Sequence, residues 1–186
     1  MNDSADSAKE SAPRGDIVLT GMPGGGKSAA GRALARLLRR ELVETDEMAA
    51  QSAGMSVADI FAARGEAHFR KLESAALRAA LQKSGRVIST GGGVVLDRKN
   101  RALIRGAARA VYLQAPPELL ARRLKTETAA RPLLRGGDLA AVLAAMLSRR
   151  ETWYRQTAHL TVAQHGDDTP ADVAAKIRAG LRHICE

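Results

Sequence analysis

The run Gly21-Met22-Pro23-Gly24-Gly25-Gly26-Lys27-Ser28 carries the clearest chemistry in the chain. It satisfies the pattern G-x-x-x-x-G-K-[ST] at every fixed position. Glycines let a backbone curl around phosphate oxygens with successive N–H groups turned inward. Lys27 brings a positive charge to the terminal phosphates, and the Ser28 hydroxyl can ligate Mg²⁺. A helix beginning near Lys27 aims its positive dipole end at the same anion. A chance match in a chain of 186 residues is on the order of 1%. The setting lowers that further, because an apolar strand precedes the loop and a helix carrying Leu34, Leu37 and Leu38 follows it. The guanine-reading N-K-x-D string and the D-x-x-G switch are both missing, and large ATPases need more chain. What remains is a small kinase acting on a small molecule.

Four more segments share one theme. Glu44-Thr45-Asp46 follows a second strand pattern, placing two carboxylates at the sheet edge where open α/β sheets bind ligands. Arg70 and Glu73 stand three residues apart on a helix, close enough to pair. Gly91-Gly92-Gly93 directly follows a third strand, where backbone can approach a ligand, and Arg131-Pro132-Leu133-Leu134 lies in a charged, Gly/Pro-containing stretch. Arg150 precedes Trp153-Tyr154. Arginine forks suit carboxylates, each charge-assisted bond contributing roughly 1.5–3 kcal/mol. Each residue also has a plainer reading: Arg70–Glu73 as an ordinary surface pair, Arg131 as decoration of a solvated loop, Asp46 as the cap of the next helix. Trp153 reads as a packing residue. His68, His159, His165 and His183 show no ligand spacing.

Taken together, GMPGGGKSAAGRALA, ETDEMAAQSAGMSVADIFAARGEAHFRKLE, STGGGVVL, ARPLL and R-x-x-W-Y resemble the shikimate kinase family in order and spacing, from about Asp16 to Ile184. The resemblance implies ATP-dependent phosphorylation of shikimate to shikimate 3-phosphate, a step towards aromatic amino acids, with Mg²⁺ as cofactor. It implies that Gly24, Gly25, Gly26, Lys27, Ser28, Ala29 and Arg131 surround the ATP phosphates, with Lys27, Asp46 and Arg131 catalytic. Arg123 is expected on the adenine and Pro170 near the base wall. Asp46 is expected to face the shikimate hydroxyls, Arg70 and Arg150 to grip its carboxylate, and Gly91, Gly92 and Gly93 to close over it. Glu73 resembles the partner that orients Arg70. Ser28, and Glu44 through water, are expected to hold the metal. Gluconate or nucleoside monophosphate phosphorylation, or a catalytically silent ligand sensor, are the competing readings.

Two positions depart from the family pattern. Glu44 stands where Asp is usual, adding a methylene to the metal side. Trp153 interrupts the usual x-Pro-Leu-Tyr after Arg150, and its bulk is expected to repack the wall behind the carboxylate site.

These groups must be positioned by an α/β fold. Strand patterns at Asp16–Thr20, Glu41–Glu44, Arg86–Thr90, Arg109–Gln114 and His159–Val162 alternate with helical ones. Ser56 with Asp59 predicts a helix start, with Met55 and Ile60 spaced as a staple. Thr169-Pro170-Ala171-Asp172 predicts another, leading into the stripe Ala174, Ile177, Leu181. The expected architecture is a P-loop kinase fold: a five-stranded parallel sheet flanked by helices on both faces, with a lid. The resemblance implies strand order 2-3-1-4-5. One domain is expected over 15–186, with the lid at about 124–137 and a disordered tail at 1–14.

Composition agrees. Apolar residues make up 45% and charged residues 26%, while aromatics at 3% leave the core to Ala, Leu, Val and Ile. No apolar run reaches the ~18 residues of a membrane span. One cysteine cannot form an internal disulfide, which fits a reducing compartment. The tail lacks the apolar stretch of a signal peptide, so a cytoplasmic location is expected. The net charge of +9 admits anionic substrates, a basic surface or nucleic acid. No zinc spacing or aromatic RNA-binding signature favours the last. The partners expected are shikimate and ATP, with no nucleic acid or membrane, and the chain is read as a monomer.

Overall fold

The computed structural model describes residues 15–125 and 138–184. The expected tail, Arg131 and most of the expected lid lie outside the described residues.

Strand β1 (Asp16–Thr20) is buried along its whole length. Its alternating side chains feed two different cores, as the two-residue repeat of a strand requires. Val18 joins a cluster with Ile88, Tyr112, Leu120 and Tyr154 on one face. Ile17 and Leu19 join Leu34, Val111, Ile177 and Leu181 on the other. A strand apolar on both sides belongs at the centre of a parallel sheet covered on both faces. The sheet contains five strands in the order β2-β3-β1-β4-β5, all paired in parallel. The remaining strands are β2 (Leu42–Glu44), β3 (Val87–Ser89), β4 (Ala108–Gln114) and β5 (Leu160–Ala163). Each lies within a residue of its sequence expectation.

Among the described residues, seven helices surround the sheet: α1 (Lys27–Leu38), α2 (Thr45–Ala53), α3 (Val57–Ala80), α4 (Arg98–Ala107), α5 (Pro117–Leu124), α6 (Leu139–Thr157) and α7 (Pro170–Ile184). α1 and α7 cover one face, packed against each other. The predicted stripe Ala174, Ile177 and Leu181 is buried there. Leu37, read as part of the apolar face of α1, is instead 41% exposed. Leu34 and Leu38 are four residues apart and define the buried face, and Leu37 is rotated off it. At the start of α3, Asp59 N–H donates to Ser56 Oγ at 3.1 Å, while Met55 packs near Ile60. Within α3, Gly65 adopts φ 74°, ψ 170° and breaks the helix into two segments. The second segment carries Glu66, Arg70 and Glu73. At α7, Asp172 N–H donates to Thr169 Oγ1, and the Asp172 carboxylate accepts from Thr169 in return.

Candidate active site

The phosphate loop joins β1 to α1. Gly26 caps α1 with φ 72°, in the left-handed region that favours glycine. Lys27 is buried, and its ammonium donates to the carbonyls of Gly21 and Met22, both at 3.0 Å. The loop lines a cleft of about 580 Å³ together with Ser28, Ala29, Glu44, Asp46, Gly92, Arg123, Gln164 and Pro170. The cleft thus brings phosphate-side and substrate-side residues together. Asp46 is not the cap of α2, because that helix begins one residue earlier at Thr45, with Glu44 at the cap position.

The glycine run between β3 and a short 3₁₀ turn (Val94–Leu96) ties the remaining residues to this cleft. A methyl group on Gly91 would collide with carboxylate oxygens of Glu73 and Asp46, and one on Gly93 would overlap the Arg70 guanidinium. One on Gly92 would come within 2.7 Å of Pro23 Cδ in the phosphate loop. Arg150 Nη1 and the Tyr154 hydroxyl both donate to the Gly92 carbonyl. The run is therefore approached closely from three directions, and at Gly92 the neighbour is a proline ring and backbone that cannot swing aside.

Arg70 and Glu73 are not an ordinary surface pair. Arg70 Nη1 donates to Glu73 Oε2 at 2.9 Å, and the Glu73 side chain is 1% exposed. From the other side, Arg70 Nε and Nη2 donate to Glu66 Oε1 at 3.1 and 2.8 Å. Burial opposes the Arg70 charge, but Glu73 and Glu66 outweigh it and its pKa ends above the usual value. Burial pushes the Glu73 carboxyl up, Asp46 adds to that, and Arg70 offsets only part. Glu73 Oε1 is buried without a hydrogen-bond partner.

On the metal side, Glu44 Oε1 is likewise buried without a hydrogen-bond partner, and Arg32 lies 3.9 Å away. A hydrogen bond to Glu44 and the charge of Glu44 hold the Glu47 carboxyl above its usual range. Ser28 and Glu44 line the same cleft, and a hydroxyl with a carboxylate oxygen that has no hydrogen-bond partner are hard-oxygen donors of the kind that fit Mg²⁺. That ion keeps several waters and takes one or two carboxylates together with substrate phosphates, so no dense protein cage is needed. No group of three or more His, Cys, Asp or Glu side chains suited to a metal occurs among the described residues.

Gln164, just beyond β5, was not foreseen in the sequence. It is 4% exposed and links Arg123 to the phosphate loop. No periodicity marks it. Glu66 was also missed, although its spacing four residues before Arg70 is the ordinary helical pairing distance. Trp153 packs as expected and braces the 3₁₀ turn indirectly. The Arg101 guanidinium lies 5.1 Å from its ring centroid and donates to the Val95 and Leu96 carbonyls. His159 is structural, its Nδ1 accepting from the Ala110 N–H at 3.1 Å.

The family model described as shikimate kinase matches residues 23–182. A shikimate kinase of Oleidesulfovibrio alaskensis is 45% identical over 148 residues, covering 78% of this chain and 86% of the relative. That of Synechococcus sp. is 40% identical over 161 residues, covering 87% and 84%. Among solved structures, shikimate kinase from Acinetobacter baumannii in complex with shikimate superposes with TM-score 0.83 at 33% identity, covering 88% of this chain and 90% of that one. A gluconokinase from Sinorhizobium meliloti, at TM-score 0.59 and 20% identity, covers 94% and 95% and shares the fold. The family model runs from inside the phosphate loop almost to the end of α7 and so spans most of the chain: this chain belongs to the shikimate kinase family.

Proposed function

We propose that this chain transfers the γ-phosphoryl group of ATP to a hydroxyl of shikimate, giving shikimate 3-phosphate and ADP on the route to aromatic amino acids. The observation that carries this reading is the glycine run. Its three residues contact Asp46, Glu73, Arg70, Arg150 and, through Pro23, the phosphate loop. An acid held by arginine forks on one side would thereby meet nucleotide phosphates on the other.

The loop amides and Lys27 bind the ATP phosphates, and Arg123 and Pro170 border the base. Asp46 orients the attacking hydroxyl and accepts its proton as the oxygen bonds to γ-phosphorus and the bond to the bridging oxygen breaks. Lys27 stabilises negative charge on the transferring group. Ser28 and Glu44 would hold Mg²⁺, which neutralises phosphate charge when bound. Arg70, held by Glu66 and Glu73, and Arg150 on the Gly92 carbonyl take the substrate carboxylate. The chain is read as acting as a monomer. No described helix is long and apolar enough to cross a membrane, and dependence on ATP supports a cytoplasmic location.

A coupled ADP-release assay with shikimate, gluconate, a nucleoside monophosphate or no acceptor tests the reading. Shikimate should accelerate release at least 100-fold over gluconate. Equal rates with all acceptors would overturn it.

A further inference from the structure

We propose that Gln164 is a positioning residue for the nucleotide, locking the Gly25–Gly26 peptide and the Arg123 guanidinium into one unit. Its Nε2 donates to the Gly25 carbonyl at 2.9 Å, and its Oε1 accepts from Arg123 Nη1 at 2.9 Å. The two partners fix the amide orientation, because a carbonyl can only accept and a guanidinium can only donate. The backbone is fixed as well: Gln164 N–H donates to the Gln114 carbonyl at 2.8 Å, continuing the β4–β5 ladder. A side chain anchored to the sheet and 4% exposed is a rigid strut.

The consequence for the phosphate loop follows from peptide geometry. The Gly25 carbonyl and the Gly26 N–H belong to one planar trans unit and point in opposite directions. Holding the carbonyl on Gln164 aims the Gly26 N–H the other way. A phosphate-binding loop works only when its amides face the anion and its carbonyls face elsewhere. Glycines make that arrangement reachable but do not enforce it, since a glycine peptide flips easily. Gln164 supplies the enforcement from outside the loop.

The second arm couples the base end to the phosphate end. Arg123 is in the last turn of α5 and lines the same cleft. Its Nη1 would lie 3.3 Å from a methyl group placed on Gly26, so the guanidinium rests directly over the loop. Glutamate at position 164 would keep the Arg123 arm, but it has no donor for the Gly25 carbonyl and sets a negative charge beside the phosphates. Methionine would keep the volume and lose both arms.

This inference rests on the kinase reading only for the choice of ATP as nucleotide, so its test is binding rather than turnover. ADP affinity is measured by calorimetry for wild type, Gln164→Glu and Gln164→Met, alongside shikimate KM, ATP KM and thermal midpoint. Gln164→Glu should weaken ADP binding and raise ATP KM at least tenfold, with shikimate KM within twofold. Gln164→Met should weaken ADP binding threefold or more. Unchanged ADP affinity in both folded variants overturns the proposal, as does a parallel rise of both KM values, which marks a merely structural role. Should both variants fail to fold, side-chain amide exchange at Gln164 decides in the wild type. Slow exchange supports the strut, and solvent-like exchange overturns it. Loss of ADP binding in a variant bears on Gln164, whereas failure of wild type to phosphorylate shikimate bears on the function alone.

Discussion

Removing one oxygen atom, in Tyr154→Phe, separates the support of the glycine loop from its chemistry. The Tyr154 side chain is fully buried and stacks on Tyr112 with ring centroids 5.0 Å apart and planes 10° from parallel. Phenylalanine keeps that stack and the packing. What disappears is the hydroxyl that donates to the Gly92 carbonyl. Burial above all drives the phenol pKa far above its usual range, so the group acts only as a neutral donor. A net hydrogen bond is worth about 0.5–1.5 kcal/mol. The Gly92 carbonyl keeps Arg150 Nη1 at 3.4 Å and is not orphaned, which places the cost near 1 kcal/mol. For a chain of this size that lowers the thermal midpoint by about 2–4 °C. If the same ~1 kcal/mol falls on the bound loop, shikimate KM rises about fivefold, while ATP KM stays within twofold. Calorimetric melting and steady-state kinetics against each substrate read the two effects. A stability loss with unchanged shikimate KM would refute the idea that this bond positions Gly92 for substrate, and so would an equal rise in both KM values.

Glu73→Gln tests the buried carboxyl. Its raised pKa means that native protein binds more protons than unfolded protein, from the ordinary value of 4.5 up through the native one. The Glu73 contribution to stability is therefore fully present below that ordinary value and is lost as pH rises through the native pKa. The glutamine variant should lack this slope in a pH series of urea melts, while its shikimate KM rises as Arg70 loses a charged partner; identical slopes would count against the assignment. For Glu44→Asp, retracting the carboxylate by one methylene should relieve Glu47, visible as a fall of its pKa in an NMR titration, and should shift half-saturating Mg²⁺ at least threefold. An unchanged Mg²⁺ titration would mean that the extra methylene has no consequence.

The parts of this site visible in the sequence are those whose chemistry is local. A phosphate loop is eight consecutive residues whose order fixes both the backbone path and the charge, and Arg70–Glu73 is one helical turn. The five strands were legible because each is a short β-rich run set between longer helical patterns. Gln164 is different. Its partners Gly25 and Arg123 are 139 and 41 residues away, and nothing in the sequence around it marks a glutamine that must both donate and accept. The Tyr154 hydroxyl on Gly92 spans 62 residues, and Leu37 misled because three nearby leucines look alike until the packing of α1 on the sheet selects a face. Long-range polar contacts leave no periodic trace, because they depend on where two elements meet.

The charges at the substrate end sharpen what selects an acid. Among the described residues, Arg70, Arg150 and Lys27 share this region with Asp46, Glu66 and Glu73, so these formal cations and anions balance, despite the +9 of the whole chain. Among these six groups, then, net charge is not what draws a carboxylate. Recognition has to come from direction: planar forks held at fixed angles, with N–H groups not consumed by their own carboxylates. Glu73 and Glu66 do not simply cancel Arg70. They occupy some of its five donors, hold the plane still and leave the remaining N–H groups for substrate. A lysine in its place would preserve every charge in that balance and lose the geometry, which is why the buried carboxylate, costly as it is by itself, belongs to the recognition device.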